Sequence, residues 1–144
     1  MADPDANTPG PPPLRVLVVD DSACLRRRVR EALERAGLQV VGEAGDGAGA
    51  LAQAAVQRPD VVLMDLRMPG MGGVEATRAL RRRQPSTRVV LWTGDDDERL
   101  AAAVHESGAD GGVAKGIRAA ELVAALQAAG RGLAHQQARD PAEG

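Results

Sequence analysis

Aromatic side chains are almost absent from this chain. None of its 144 residues is Phe or Tyr, and Trp92 stands alone. Any core must therefore be built from Val, Leu, Ala and a few Met. The single cysteine, Cys24, excludes an intrachain disulfide framework and disfavours a zinc site. His105 is one of only two histidines, which leaves little support for an imidazole-based metal or catalytic centre. No charge of one sign dominates. The net charge is −2 with acids and bases interspersed, so nothing favours electrostatic capture of nucleic acid or of an anionic membrane. No apolar run approaches the roughly 18 residues of a membrane-spanning helix. The first residues are acidic and proline-rich rather than basic and apolar, unlike a signal peptide. A cytoplasmic location is expected.

What is present is a regular alternation of short β-branched runs and helical patterns. The length suits one domain able to support its own core. Residues 1–13 hold Pro4, Pro9, Pro11, Pro12 and Pro13 and read as an extended or disordered leader. Residues 130–144 lack periodicity and read as a flexible tail or linker, which leaves 14–129 as the folded domain. Val- and Leu-rich runs predict strands over 14–19, 38–44, 60–64, 88–92 and 111–115. Between them, helical spacing predicts helices over 48–57, 73–83, 96–107 and 118–129, and a first helix capped by Ser22 and stopped by Gly37. That first helix is expected to turn Leu25, Val29, Ala32, Leu33 and Ala36 inward, and the third Val74, Thr77 and Leu80. Five βα units with short connections imply an α/β fold: one domain, a doubly wound five-stranded parallel sheet and five helices.

Four scraps of sequence place polar residues where such strands should stop. They are LVVDDS with Asp20 and Asp21, VVLMDLRMPG with Asp65, VVLWTG with Thr93, and GVAKG with Lys115. In an open α/β sheet, ligand chemistry gathers at the carboxyl ends of the strands. Three carboxylates there suit a hard cation such as Mg²⁺, which takes oxygen ligands and keeps several waters. One oxygen of Asp65 then stays free to attack phosphorus and form an acyl phosphate. The Thr93 hydroxyl and Lys115 ammonium suit the transferred phosphoryl oxygens. Gly94 leaves room for those oxygens beside the backbone.

From 14 to 129 the sequence resembles the receiver domain of two-component response regulators, a flavodoxin-like fold. MDLRMPGMGG is its most specific piece, and the other three follow in order at the family's spacing. The resemblance implies that Asp65 is the phosphoacceptor and that Mg²⁺ is held by Asp20, Asp21 and Asp65, with Asp21 ranked above Asp20 as direct ligand. It also implies that the Arg67 backbone carbonyl binds the metal, that Thr93 is the switch hydroxyl and that Lys115 contacts the phosphate. GADGGVAK is similar to the subgroup whose receivers usually precede a helix-turn-helix domain. Two departures stand out. Gly112 occupies the position of an aromatic that normally swings inward behind the threonine, and Gly116 replaces the proline that often follows the lysine. With no side chain at 112, nothing large is expected to fill the space behind Thr93.

The implied partners are a sensor histidine kinase or histidine phosphotransfer protein, and an output partner on the face made by the fourth helix, fifth strand and fifth helix. A homodimer is compatible, and direct nucleic-acid or membrane binding is not expected. Three other readings stay open: a receiver fragment of a DNA-binding regulator, a phosphohydrolase using an aspartyl phosphate, and an interaction module that works unphosphorylated. Arg67 and Asp95, each two residues past a site residue, are expected to pair over the mouth and set the phosphate's lifetime. Asp96, Asp97 and Glu98 read as solvated charges favoured by the following helix's N-terminal dipole. GDGAG at 45–49 reads as a turn, Cys24 as a small packed or half-packed residue, and the runs Arg26–Arg28 with Arg30, and Arg81–Arg83, as solvated helix faces.

Overall fold

The computed structural model describes residues 12–94 and 97–132. The elements alternate without exception: β1 (Arg15–Val19), α1 (Ala23–Arg35), β2 (Gln39–Ala44), α2 (Gly47–Gln57), β3 (Val61–Asp65), α3 (Gly73–Arg83), β4 (Arg88–Thr93), α4 (Leu100–Ser107), β5 (Gly111–Ala114) and α5 (Ala119–Gly130). All strand pairs are parallel, in the order β2-β1-β3-β4-β5. The order reverses at β1, so the crevice beyond the ends of β1 and β3 is where such a sheet accepts a ligand.

Strand alternation divides the core in two. Leu17, Val19, Val62, Met64, Val89 and Leu91 face α2, α3 and α4. Val16, Val18, Val61, Leu63, Val90 and Trp92 face α1 and α5. Most of these strand side chains are fully buried, and each contributes about 1.5–3 kcal/mol of transfer free energy. Without Phe or Tyr, Trp92 is the largest buried side chain, and its indole N–H reaches the Val19 carbonyl at 3.3 Å.

Local signals set the helix ends. Ser22 Oγ accepts from Leu25 N at 3.2 Å and Asp46 Oδ1 from Gly49 N at 2.7 Å, two side-chain N-caps. Asp46 shows that the GDGAG segment runs straight from turn into α2. Gly37, at φ +90°, ends the α1 turn. Two expectations for α1 are corrected. Ala36 is exposed because it lies past the last helical turn as the C-cap, and Cys24 is exposed because the first turn of α1 points its side chain to solvent. Leu25 and Ala32 are half-buried, while Val29 and Leu33 carry the packing. Val74 is half-buried, and Thr77 and Leu80 are buried as expected.

The fourth helix is shorter than its sequence pattern. It begins at Leu100 rather than 96, because Asp97 and the residues after it make turn hydrogen bonds and side-chain contacts instead of helical ones. The proposed leader is described only at Pro12 and Pro13, which are exposed, and the tail from 133 onward lies outside the described residues. Among the described residues, no helix is long and apolar enough to cross a membrane. Both arginine runs are less uniformly solvated than expected. Arg26 and Arg30 pair with Glu43 at 3.0 and 2.6 Å, and Arg81 lies 3.6 Å from Asp110. His105 is exposed on α4.

Candidate functional site

The register of the sheet assembles the acidic cluster. Val19 pairs with Met64, so the next step along both strands brings Asp20 beside Asp65. Asp20 N continues the ladder to Ala44 O at 3.0 Å, and Leu66 N continues it to Trp92 O at 2.9 Å, which fixes both backbones. Alternation sends Asp20, Asp65 and Lys115 to the α1/α5 side of the sheet, the side of Val18, Leu63 and Val113. Lys115 Nζ lies 2.7 Å from Asp20 Oδ2 and 3.3 Å from Asp65 Oδ1, and it sits 5.1 Å from the centroid of the Trp92 ring. Gly73 secures the loop beyond Asp65. A Cβ there would collide with the Asp65 carbonyl oxygen and lie 2.9 Å from Leu66 Cα, so no larger residue lets α3 start so close to the site.

Asp20 and Asp65 are buried and Asp21 is exposed, yet one carboxylate oxygen from each lies within 4.8 Å of the others. Asp20 Oδ1 accepts from Ser22 N at 2.8 Å. Its Oδ2 is buried and, apart from the Lys115 ion pair, receives no well-directed hydrogen bond among the described residues. A buried carboxylate oxygen in that state, beside two more carboxylates, fits a hard divalent cation. Burial pushes the Asp65 carboxyl up to about 6, with the Asp20 charge adding to the rise, while Lys115 and the Arg67 N–H oppose it. Burial also works against the Lys115 charge. Its hydrogen bond to Asp20 and the two negative charges outweigh that and hold the ammonium above its ordinary value.

Thr93 lies on the opposite parity, with Val89 and Leu91, and looks toward the α3/α4 side. Its hydroxyl donates to Asp97 Oδ2 at 3.0 Å. Arg67 Nε donates to the same oxygen at 2.7 Å, and Asp97 Oδ1 accepts from Arg99 N at 3.0 Å. Among the described residues Arg67 thus pairs with Asp97, and the pair expected with Asp95 lies outside the described residues. Asp97 is not a solvated helix-dipole charge: its side chain is 6% exposed although Arg67 is 54% exposed. The Arg67 guanidinium, then the Arg99 N–H, hold the Asp97 carboxyl well below the usual carboxylate range. Sequence spacing missed Asp97. The available signal was Gly94, whose carbonyl accepts from Asp97 N at 3.2 Å and so turns the chain back toward Thr93.

Gly112 pairs with Leu91, which puts it on the same side of the sheet as Thr93. The space against Gly112 is filled from α4. A Cβ on Gly112 would meet Val104 Cγ2 at 2.8 Å and Leu100 Cγ and Cδ1 at 3.0 Å. Two α4 side chains thus rest on bare β5 backbone. Gly94 is exposed, and a Cβ there would meet nothing within 4 Å.

A strand-end acidic cluster with a lysine, on a 2-1-3-4-5 parallel sheet, has a counterpart in known proteins. The family model described as response regulator receiver domain matches residues 16–127. This chain belongs to that family. The receiver is 44% identical over 115 residues to the response regulator GacA of Pseudomonas viridiflava, covering 79% of this chain and 54% of GacA. It is 39% identical to the response regulator UvrY of Escherichia coli, covering 79% of this chain and 53% of UvrY. The chain thus spans about half the length of the curated relatives it matches. Among solved structures, the receiver is similar to a LuxR-family response regulator of Aurantimonas sp. SI85-9A1, with TM-score 0.78, 38% identity, and 84% and 87% of the two chains covered. It is equally similar to the signal receiver domain of the putative response regulator NarL of Mycobacterium tuberculosis, with TM-score 0.78, 37% identity, and 85% and 99% covered. Receiver domains of this family are phosphoacceptors of two-component systems. They generally bind Mg²⁺ at an acidic pocket and interact with histidine kinases or phosphotransfer proteins and with output domains.

Proposed function

We propose that Asp65 is the residue of this receiver that accepts the phosphoryl group, from a histidine kinase or histidine phosphotransfer protein. The observation that carries the assignment is the meeting of Asp65 with Asp20, Asp21 and Lys115 at the β1/β3 crevice. Asp65 Oδ1 is held by Lys115 and by Arg67 N at 3.3 Å. Oδ2 takes part in neither contact and is the attacking oxygen. It bonds to phosphorus as the phosphorus–nitrogen bond of the donor phosphohistidine breaks, and the electron pair leaves on the imidazole nitrogen. Asp20, Asp21, Asp65 and the Arg67 carbonyl would hold Mg²⁺, which supplies positive charge against the phosphoryl oxygens. Lys115 stabilises an oxygen of the transferred group, Thr93 donates its hydroxyl proton to another, and the open space at Gly94 accommodates them.

The reading places the chain in the cytoplasm, with 14–129 as the receiver between a proline-rich leader and a tail or linker. Slow autodephosphorylation is its only hydrolytic activity, and its output leaves through α4, β5 and α5. Incubation with Mg²⁺ and a small phosphodonor, followed by intact mass measurement, should add the mass of one phosphoryl group. Asp65→Asn should abolish that addition, and its persistence would reject the assignment. Turnover of a small phosphoester faster than about 1 s⁻¹ would instead favour a phosphohydrolase. The chain spans about half of GacA and UvrY, which, with the resemblance of GADGGVAK to receivers that precede a helix-turn-helix domain, favours a second arrangement in which this receiver is one part of such a regulator. Reading the gene to its stop codon separates the two.

A further inference from the structure

We infer that Asp97 is a positioning residue that holds the Thr93 hydroxyl and the Arg67 side chain in the unphosphorylated receiver, and that loading of Asp65 releases it and frees the first turn of α4. The inference rests on the Asp65 reading and goes beyond it. A threonine hydroxyl has one proton to donate. In this structure it goes to Asp97 Oδ2, at 3.0 Å. A phosphoryl group on Asp65 needs the same proton, so the two bonds exclude each other. The arriving group is also anionic and repels the Asp97 carboxylate, which sits on the same hydroxyl.

Asp97 is tied to α4 as directly as to the site. Its Oδ1 accepts from Arg99 N at 3.0 Å, and its carbonyl accepts from Leu100 N at 3.4 Å. Arg99, the N-cap, offers no side-chain cap of its own. An eight-residue helix with that start draws its first-turn order from tertiary contacts. Those contacts are Asp97 at one end and the seating of Leu100 and Val104 on Gly112 at the other. Loss of the Asp97 bonds leaves the first turn held by the Ala103 N to Arg99 O bond at 2.9 Å and by apolar contact. In a receiver with an aromatic at position 112, a side chain can carry the change. Here the path runs from Thr93 through Asp97 to the helix itself. Since a ligand moves a population only by its differential interaction with the two states, the exchange of Thr93's single proton is the differential term.

The test compares the wild-type chain with Asp97→Ala and Asp97→Asn. Each is phosphorylated by acetyl phosphate with Mg²⁺ and followed by intact mass, and amide exchange is read over 97–104 with and without beryllium fluoride as phosphoryl mimic. In the wild type, the mimic should speed exchange over 97–104 by about fivefold. In Asp97→Ala that segment should already exchange fast, the mimic should add little, and phosphorylation should be severalfold faster. Asp97→Asn keeps an oxygen acceptor but loses the charge facing Arg67, so it should lie between the two and guards against a misfolded alanine variant. If Asp97 merely caps α4, exchange will speed while phosphorylation keeps its wild-type rate, and the inference is overturned. A wild-type segment that ignores the mimic overturns it too. Uptake of the phosphoryl group by an Asp65→Asn control would show instead that the acceptor reading had failed, and the inference with it.

Discussion

Replacing Asp65 by Asn should stabilise the metal-free protein at neutral pH, although it removes the residue on which function depends. Burial lifts the Asp65 carboxyl from 3.8 to about 6, with Asp20 adding to the rise. Each pH unit corresponds to about 1.4 kcal/mol, so the charged form costs at most about 3 kcal/mol in the folded state. The Asp65 side chain is 3% exposed, but Lys115 at the mouth is 25% exposed, and solvent there screens part of the effect. About 1–2 kcal/mol should remain. A folded-state value raised above the unfolded one gives stability that is present in full below about 3.8 and lost as pH rises through about 6. The wild type should therefore fall behind Asp65→Asn across that window and stay behind above it. Urea denaturation without divalent cations, at pH 4 and pH 7.5, reads this directly. The variant should lead by about 1–2 kcal/mol at the higher pH, about 4–8 °C in Tm, and by little at the lower. Millimolar Mg²⁺ should narrow the gap by binding the wild type preferentially. Equal stabilities at pH 7.5, or a lead as large at pH 4, would refute the electrostatic reasoning.

Asp21→Ala should weaken Mg²⁺ binding about tenfold more than Asp20→Ala, or about 1.4 kcal/mol, because Asp20 is already engaged by Lys115 and Ser22 N while Asp21 faces the mouth unburdened. Trp92 emission provides the titration, since Lys115 rests over its ring, and equal losses would remove the ranking. Gly112→Ala should destabilise the protein by about 1–3 kcal/mol, because its methyl would lie 2.8 Å from Val104 Cγ2 and 3.0 Å from Leu100. A neutral result in urea denaturation would mean that α4 yields freely.

The acidic cluster was legible in the sequence because each of its members follows a strand and strand ends are local events. Val, Leu and Met runs stop at Asp20, Asp65 and Thr93, and parallel pairing then brings the ends together whatever the intervening helices contain. Ser22 and Gly37 were legible for the same reason, as caps written beside the helix they serve. The pairing of Arg67 with Asp97 was not. Four consecutive acids follow Gly94, and spacing from Thr93 singled out Asp95. Which acid returns to the site depends on where the chain turns and where α4 starts. The turn from Gly94 brings back Asp97, and the helix waits until Leu100 can settle on β5. Neither is a property of the four acids themselves.

Gly112 shows the same limit from the other side. In a linear sequence, glycine in place of an aromatic reads as a missing part, and a missing part suggests an empty space. Protein interiors are packed too densely to leave one. Leu100 and Val104 close it by bringing α4 down onto the β5 backbone, at distances that leave no room for a methyl group. With glycine at 112 there is no side chain to turn, and α4 rests on backbone. A swinging side chain has two rotamers and needs little from its neighbours. A helix seated on bare backbone has no such internal freedom and must shift as a unit or loosen at its first turn. Besides that seating, Asp97 holds the turn through Arg99 N, while its other oxygen accepts from the Thr93 hydroxyl. Gly112 and Asp97 thus both bear on α4: Leu100 and Val104 rest on the one, and the other joins Arg99 N to the Thr93 hydroxyl.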